Sequence, residues 1–298
     1  MDKYKIEKNT VQETLIIPLY GRRLCSRIFP TLFQDESAAE LMERIDYDFS
    51  KLDKESNSLM QVFGALEVAM RQSDLAWEVR DYLKSHPKAA VINLGCGLDN
   101  TSRACDNGSC KIYNIDLSDV IELRNRLLPA EARERNLALD LNDPAWLDAL
   151  DADPVNGTVL FAAGVFYYFT TQQMQRLITA MAKRFPGGRL VFDGAGKTAV
   201  KLMLKTWVKQ AGIKDVGAYF SVKDAKRELE LDVKPCFLCG RRPFCLGRCA
   251  DRAVLCGVPY HGAWCGVRDC RSDPAGAAPV VRLDTASICL WGRRYSGT

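Results

Sequence analysis

No apolar run in this 298-residue sequence reaches about 18 residues, the least a membrane-spanning helix needs, so a helical membrane span is excluded. The opening residues, Met1 to Lys8, also lack the basic-then-apolar layout of a secretory leader, and the expectation is a cytoplasmic protein. Basic excess is absent from most of the chain. Residues 235–298 carry 9 Arg against 4 Asp, and the first 234 residues hold 32 basic and 33 acidic side chains, so the overall charge of +4 belongs to the tail. A body with net charge −1 offers no basic field to nucleic acid, and no nucleic-acid or membrane partner is expected.

The tail is defined by further absences. From Pro235 onward there is no Lys, Glu, Asn, Gln or Met, whereas eight of the 12 cysteines lie there. Cys236, Cys239, Cys245 and Cys249 could supply four thiolates to zinc, although the second pair has an unusual spacing and the connecting loop is short. Disulfides conflict with a cytoplasmic setting. A composition rich in Arg, Gly, Ala, Pro and Cys without periodic pattern instead favours translation out of frame. Residues 234–298 are therefore read as an atypical, poorly ordered tail with no assigned metal site.

What is present centres on Ala89 to Asp99. An apolar run of strand length ends in Gly95 and Gly97, the arrangement by which a buried parallel strand turns sharply and brings backbone N–H groups against a ligand. A third glycine is missing, since Asn100 occupies its place in the dinucleotide pattern. The second strand, Lys111 to Asp116, ends in a carboxylate 19 residues after Gly97, where a Rossmann-like fold accepts hydrogen bonds from a ribose diol. The other reading of Asp116 is a simple cap for the following helix.

The segments Asn93 to Asp99, Tyr113 to Leu117, Val120 to Arg124 and Phe161 to Phe169 resemble the leucine carboxyl methyltransferase and polyketide O-methyltransferase (TcmP-like) family over about residues 8–232. That resemblance implies a class I methyltransferase fold and S-adenosylmethionine as cofactor. It implies that Gly95, Cys96, Gly97 and Asp116 line the cofactor, that Arg71 holds its methionine carboxylate, and that Asp140 and Leu141 meet its adenine end. Ala163 falls at a further contact to the methionine half, where many members carry Glu. Asn100-Thr101 likewise replaces a frequent Thr-Arg. Tyr168 matches a recurrent family Tyr at the methyl-transfer site, with an ordinary buried tyrosine as the other reading. An N-terminal helical cap over residues 1–55, Tyr20 included, would cover the cleft and help to form the substrate pocket, or would only bury apolar surface.

Periodicity organises the rest. Val11 to Tyr20 reads as a helix interrupted by Pro18, and Glu36 to Ile45 as a second that Asp35 can cap. Leu59, Val62, Phe63, Leu66 and Met70, then Leu75, Val79, Tyr82 and Leu83, recur at helical spacing as core positions before His86-Pro87 ends the element. Strands at 136–139, 158–163 and 189–193 alternate with helices at 118–128 and 171–185, and further helices are expected at 197–210 and 224–231. The pattern is an α/β, Rossmann-like doubly wound sheet spanning residues 56–233. Two antiparallel strands should then complete the edge, but the tail shows no such hairpin.

These readings combine into an S-adenosylmethionine-dependent O-methyltransferase acting on a carboxylate or hydroxyl of a polyketide-like small molecule. No side chain stands out as a general base. An NAD-dependent oxidoreductase and a degenerate, non-catalytic module are the alternatives.

Overall fold

The computed structural model describes residues 3–7, 10–194, 196–203, 219–221, 236–237 and 280–284. The rest of the tail, with Cys239, Cys245 and Cys249, and the stretches expected to be helical at 204–210 and 224–231 lie outside the described residues. In chain order the elements are β1 (Tyr4–Lys5), α1 (Val11–Thr14), α2 (Ile16–Ile28), α3 (Glu36–Glu43), β2 (Ile45–Asp46), α4 (Ser50–Glu55), α5 (Leu59–Ser85) and β3 (Ala90–Leu94). There follow α6 (Thr101–Ala104), β4 (Lys111–Asp116), α7 (Ser118–Leu127), β5 (Glu134–Ala138), β6 (Thr158–Ala162), α8 (Thr171–Arg184), β7 (Arg189–Asp193), α9 (Lys197–Met203), β8 (Cys236–Phe237) and β9 (Val280–Asp284).

The main sheet runs β5-β4-β3-β6-β7-β9-β8, and the pairs β3–β4, β3–β6, β4–β5 and β6–β7 are all parallel. Both faces are covered, which explains strands without polar alternation. Ile92 and Leu94 pack with Trp146, Phe166 and Met174 on one side, and their neighbour Val91 packs with Leu75, Val79 and Phe161 on the other. The edge differs from the expected antiparallel pair: β9 joins β7 in parallel and β8 joins β9 in parallel, so these segments form no hairpin.

A second core lies under the N-terminal helices. Ile16, Leu19, Tyr20 and Leu24 of α2 meet Leu41 and Met42 of α3, Ala65 and Ala69 of α5, and Leu123 and Leu127 of α7. Helices α2 and α5 meet at Gly21, where a Cβ would make ordinary van der Waals contact with Val68 at 3.5 Å. Asp35 caps α3 as expected, accepting from the Ala38 N–H at 3.1 Å.

Two local expectations are corrected. Pro18 does not interrupt a helix; it sits in the first turn of α2, where a missing N–H leaves no intrahelical bond unmade, and the break falls at Leu15. Leu59 is not core, being 86% exposed at the first position of α5. Among the described residues, no helix is long and apolar enough to cross a membrane.

One carboxylate on α5 is costly to this fold. Asp74 has an oxygen buried with no hydrogen-bond partner, and burial, reinforced by Glu78 one turn on, pushes its carboxyl from 3.8 up to about 7. A raised folded-state value means that the contribution to stability is complete below the unfolded value and is lost as pH rises to about 7. Asp74→Asn should therefore be more stable than the wild type by about 1 to 3 kcal/mol at about pH 8 and equal to it at about pH 4 in urea melts. Equal midpoints at the higher pH would show that Asp74 is comfortably ionised in the fold.

Candidate active site at the carboxyl edge of the sheet

The turn after β3 is built by backbone conformation first. Gly95 and Gly97 have φ of +64° and +46°, in the left-handed region that a Cβ disfavours. A Cβ at Gly95 would be driven into the Val165 side chain, and one at Gly97 would come within 2.8 Å of Leu15 Cδ2. The glycines thus admit close packing by the loop after β6 and by the start of the cap.

Hydrogen bonds then fix the turn from both sides. The Gly97 N–H donates to Asp116 Oδ2 at 2.8 Å, and the Leu117 N–H donates to Asp116 Oδ1 at 2.8 Å. Arg124, wholly buried on α7, donates from Nη1 to the carbonyls of Gly97 at 2.9 Å and Asp99 at 2.7 Å. Arg22 of the cap donates to the Leu98 carbonyl at 2.9 Å while paired with Asp35 at 2.8 Å. This corrects one expectation: the N–H groups of Cys96 and Gly97 do not point at a ligand, since they donate to the Ile115 carbonyl and to Asp116. Cys96 itself is buried, and burial raises its thiol well above the usual range.

Asp116 keeps capacity. A carboxylate offers about four lone-pair sites, and the two backbone N–H groups take one on each oxygen. Burial pushes this carboxyl up, and the Gly97 and Leu117 N–H groups oppose that shift. Two acceptor sites at the end of β4 match the two hydroxyls of a ribose.

Two strands away lies a charge of the opposite sign. Arg71, near the middle of α5, pairs through Nη1 with Asp193 Oδ2 at 2.9 Å, and its guanidinium lies over Gly164, where a Cβ would stand 3.2 Å from Nη1. Gly164, with φ of +71°, donates its N–H to Asp193 Oδ1 at 2.7 Å, and the Tyr167 hydroxyl donates to Asp193 Oδ2 at 3.2 Å. Burial works against the Arg71 charge, yet the Asp193 carboxylate overcomes it and the guanidinium holds its proton more firmly than usual. Ala163, half-buried at the end of β6, packs against the core that includes Val159 and Phe161 and carries no polar group into this edge.

The remaining candidates are distributed as follows. Tyr168 is 40% exposed beside this edge, with its N–H on the Val165 carbonyl. Leu141 is buried against the core containing Trp146, whereas Asp140 is exposed, its Oδ1 accepting from the backbone and side-chain N–H groups of Asn142 at 2.8 and 3.0 Å. Tyr20 is inside the cap, its hydroxyl donating to Asp53 at 2.9 Å and its ring stacked on Phe49 at 6.3 Å. Burial first, then Asp53, pushes Tyr20 up to about 12. The geometry therefore brings Gly95, Gly97, Asp116, Arg71, Ala163 and Tyr168 to one sheet edge and commits the Tyr20 hydroxyl elsewhere. Asp193, Tyr167 and Arg124 are neighbours of this edge to which the sequence alone assigns no place there. The end of β7 was a usable signal for Asp193, because open α/β sheets gather ligand contacts at strand carboxyl ends. Among the described residues, no cluster of three or more His, Cys, Asp or Glu is arranged to hold a metal.

Comparison with known proteins fits this geometry. Residues 20–182 match the leucine carboxyl methyltransferase family. The chain is 32% identical over 185 residues to the tetracenomycin polyketide synthesis O-methyltransferase TcmP of Streptomyces glaucescens, covering 61% of this chain and 65% of that protein, slightly less than two thirds of its length. It is 28% identical over 250 residues to the S-adenosyl-L-methionine-dependent methyltransferase dpfgK of Gibberella zeae, covering 78% and 82% of the two chains. A crystal structure of a candidate methyltransferase from Thermobifida fusca YX superposes with a TM-score of 0.50 at 17% identity over 66% of this chain and 79% of that one, a likeness of fold. With more than half of its length matched, the chain belongs to the leucine carboxyl methyltransferase family, whose cofactor is S-adenosylmethionine.

Proposed function

We propose that this protein transfers a methyl group from S-adenosylmethionine to an oxygen of a small-molecule carboxylate or hydroxyl. The observation that carries the reading is the pairing of opposite charges across the glycine turn, Asp116 at the end of β4 and Arg71 over the residue that follows β6 by two. These strands are two positions apart in the sheet, about 10 Å at ~4.8 Å per strand, a span suited to a ribose at one end and an amino-acid carboxylate at the other.

Asp116 would accept from the ribose hydroxyls, and Arg71, with one of its five N–H groups spent on Asp193, would donate to the methionine carboxylate. Leu141, with Asp140 beside it, would border the adenine, and Gly95, Cys96 and Gly97 would line the cofactor, the two glycines adding no side chain of their own and that of Cys96 being buried. Bound S-adenosylmethionine supplies an electrophilic methyl on a sulfonium. The task left to the protein is to align the acceptor oxygen with that methyl and to exclude water. The cap helices and Tyr168 would shape the acceptor pocket, with Tyr20 acting from within the cap core.

An acceptor carboxylate is already ionised near neutral pH and needs no base, which agrees with the lack of a poised base among the described residues at this edge. The name of the Streptomyces relative supports oxygen as the acceptor atom and a polyketide-like substrate. We place the enzyme in the cytoplasm, acting on small molecules rather than on nucleic acid or a membrane. In domain terms, residues 1–55 would be the cap and 56–233 the cofactor-binding unit.

Calorimetric titration with S-adenosylhomocysteine should give saturable binding, and Asp116→Ala should weaken it by about tenfold to a hundredfold through loss of hydrogen bonds to a charged group. A wild type that is folded by circular dichroism yet binds nothing would leave a non-catalytic module as the better description. Gly95→Ala should be less stable than the wild type by about 1 to 3 kcal/mol in urea melts, because it forces a Cβ onto Val165 at a left-handed φ. Unchanged stability there would mean that the turn can be rebuilt.

A further inference from the structure

Asp193 accepts three hydrogen bonds at the sheet edge, and the reading above gives it no role. It ends β7, and three donors from two parts of the chain converge on its carboxylate: Arg71 from α5 at 2.9 Å and, from the segment after β6, the backbone N–H of Gly164 at 2.7 Å and the hydroxyl of Tyr167 at 3.2 Å. Its side chain is 11% exposed and that of Arg71 is 22% exposed, so the pair is largely removed from water without being sealed in the core.

We infer that Asp193 is a positioning residue: it holds the Arg71 guanidinium over Gly164 so that the remaining N–H donors hold the carboxylate of the cofactor's methionine end. The inference rests on the methyltransferase reading above. An arginine side chain has many rotamers, and fixing it in one orientation before the ligand arrives lowers the cost of binding. Asp193 is suited to the task because its own orientation is set independently. The Gly164 N–H fixes Oδ1 through the backbone, leaving Oδ2 to face Arg71 and Tyr167. Gly164 is what lets the guanidinium lie so close to the chain, since a Cβ there would stand 3.2 Å and 3.4 Å from its two terminal nitrogens. Nothing else charged is contributed by the end of β6, where Ala163 precedes Gly164.

The prediction concerns which part of the ligand is felt. S-adenosylhomocysteine carries the amino-acid end, and 5′-deoxy-5′-methylthioadenosine lacks it but keeps the adenine and ribose. In calorimetric titrations of the full chain, Asp193→Ala should weaken S-adenosylhomocysteine by about tenfold or more and change methylthioadenosine by less than about twofold. Asp193→Asn, which keeps an oxygen for the Gly164 N–H but loses the charge that faces Arg71, should show the same selective loss. Arg71→Ala should match Asp193→Ala, and the double variant should be no worse than either alone, because both changes remove one unit.

A purely structural role would weaken the two ligands together, and that result in both Asp193 variants would overturn the inference. Unchanged affinity for S-adenosylhomocysteine in either variant would overturn it as well. A wild type that binds neither ligand would instead overturn the methyltransferase reading, and this inference with it.

Discussion

The site depends on the fixation of Gly97 through both of its peptide groups. Its N–H is held by Asp116 and its carbonyl by Arg124, so one residue with no side chain is clamped between β4 and α7. The guanidinium of Arg124 is wholly buried and also takes the Asp99 carbonyl and, through Nε, the Asn136 oxygen at 3.1 Å. A buried cation in a turn of carbonyls satisfies acceptors that would otherwise be orphaned where the strand stops and no ladder continues. Behind it, Glu134 is paired with Arg103 and accepts from Asn114 at 3.0 Å, so the charge of Arg124 is balanced within the same network. Removing one member would leave the others buried and unpaired, the situation in which polar networks cost most.

The cap is joined to this turn by two quite different contacts. Leu15 packs onto Gly97 with apolar contact alone, whereas Arg22 reaches the Leu98 carbonyl while anchored by Asp35, the residue that also caps α3. The first contact tolerates sliding and the second is directional. Together they fix the entry of the cap relative to the glycine turn, and under the proposed function a side chain such as Tyr20 would act on an acceptor only through the shape of the cap's core.

The alternation of strands and helices was readable because central strands are short and mostly apolar and helices carry a periodic stripe, as at Ala90 to Leu94, with Asn93 its one polar residue, and at Met174 to Met181. Asp35 was readable because capping is local. Pro18 misled because proline marks both the interior break and the tolerated first turn, and only the position of the preceding break tells them apart. Asp116 could be found by its distance from the glycines, a spacing tied to the length of one helix-and-strand return. Arg124 could not, since an arginine on an amphipathic helix ordinarily points to water and its partners lie 25 and 27 residues away in a turn. Asp193 escaped for a related reason: its partners Arg71 and Tyr167 are 122 and 26 residues distant, and their convergence is a property of the folded edge.

Helix α5 spans 27 residues without a break, about 40 Å at ~1.5 Å per residue, and it belongs to two cores. Ala65 and Ala69 are buried with the cap, and Leu75, Val79 and Leu83 are buried with the sheet. Arg71 falls in the short interval between them. The helix is thus a rigid beam with supports at both ends and its cation near mid-span. The cap cannot change its tilt independently of the height of that guanidinium above the sheet, and substitutions that reshape the cap must do so while keeping the beam level.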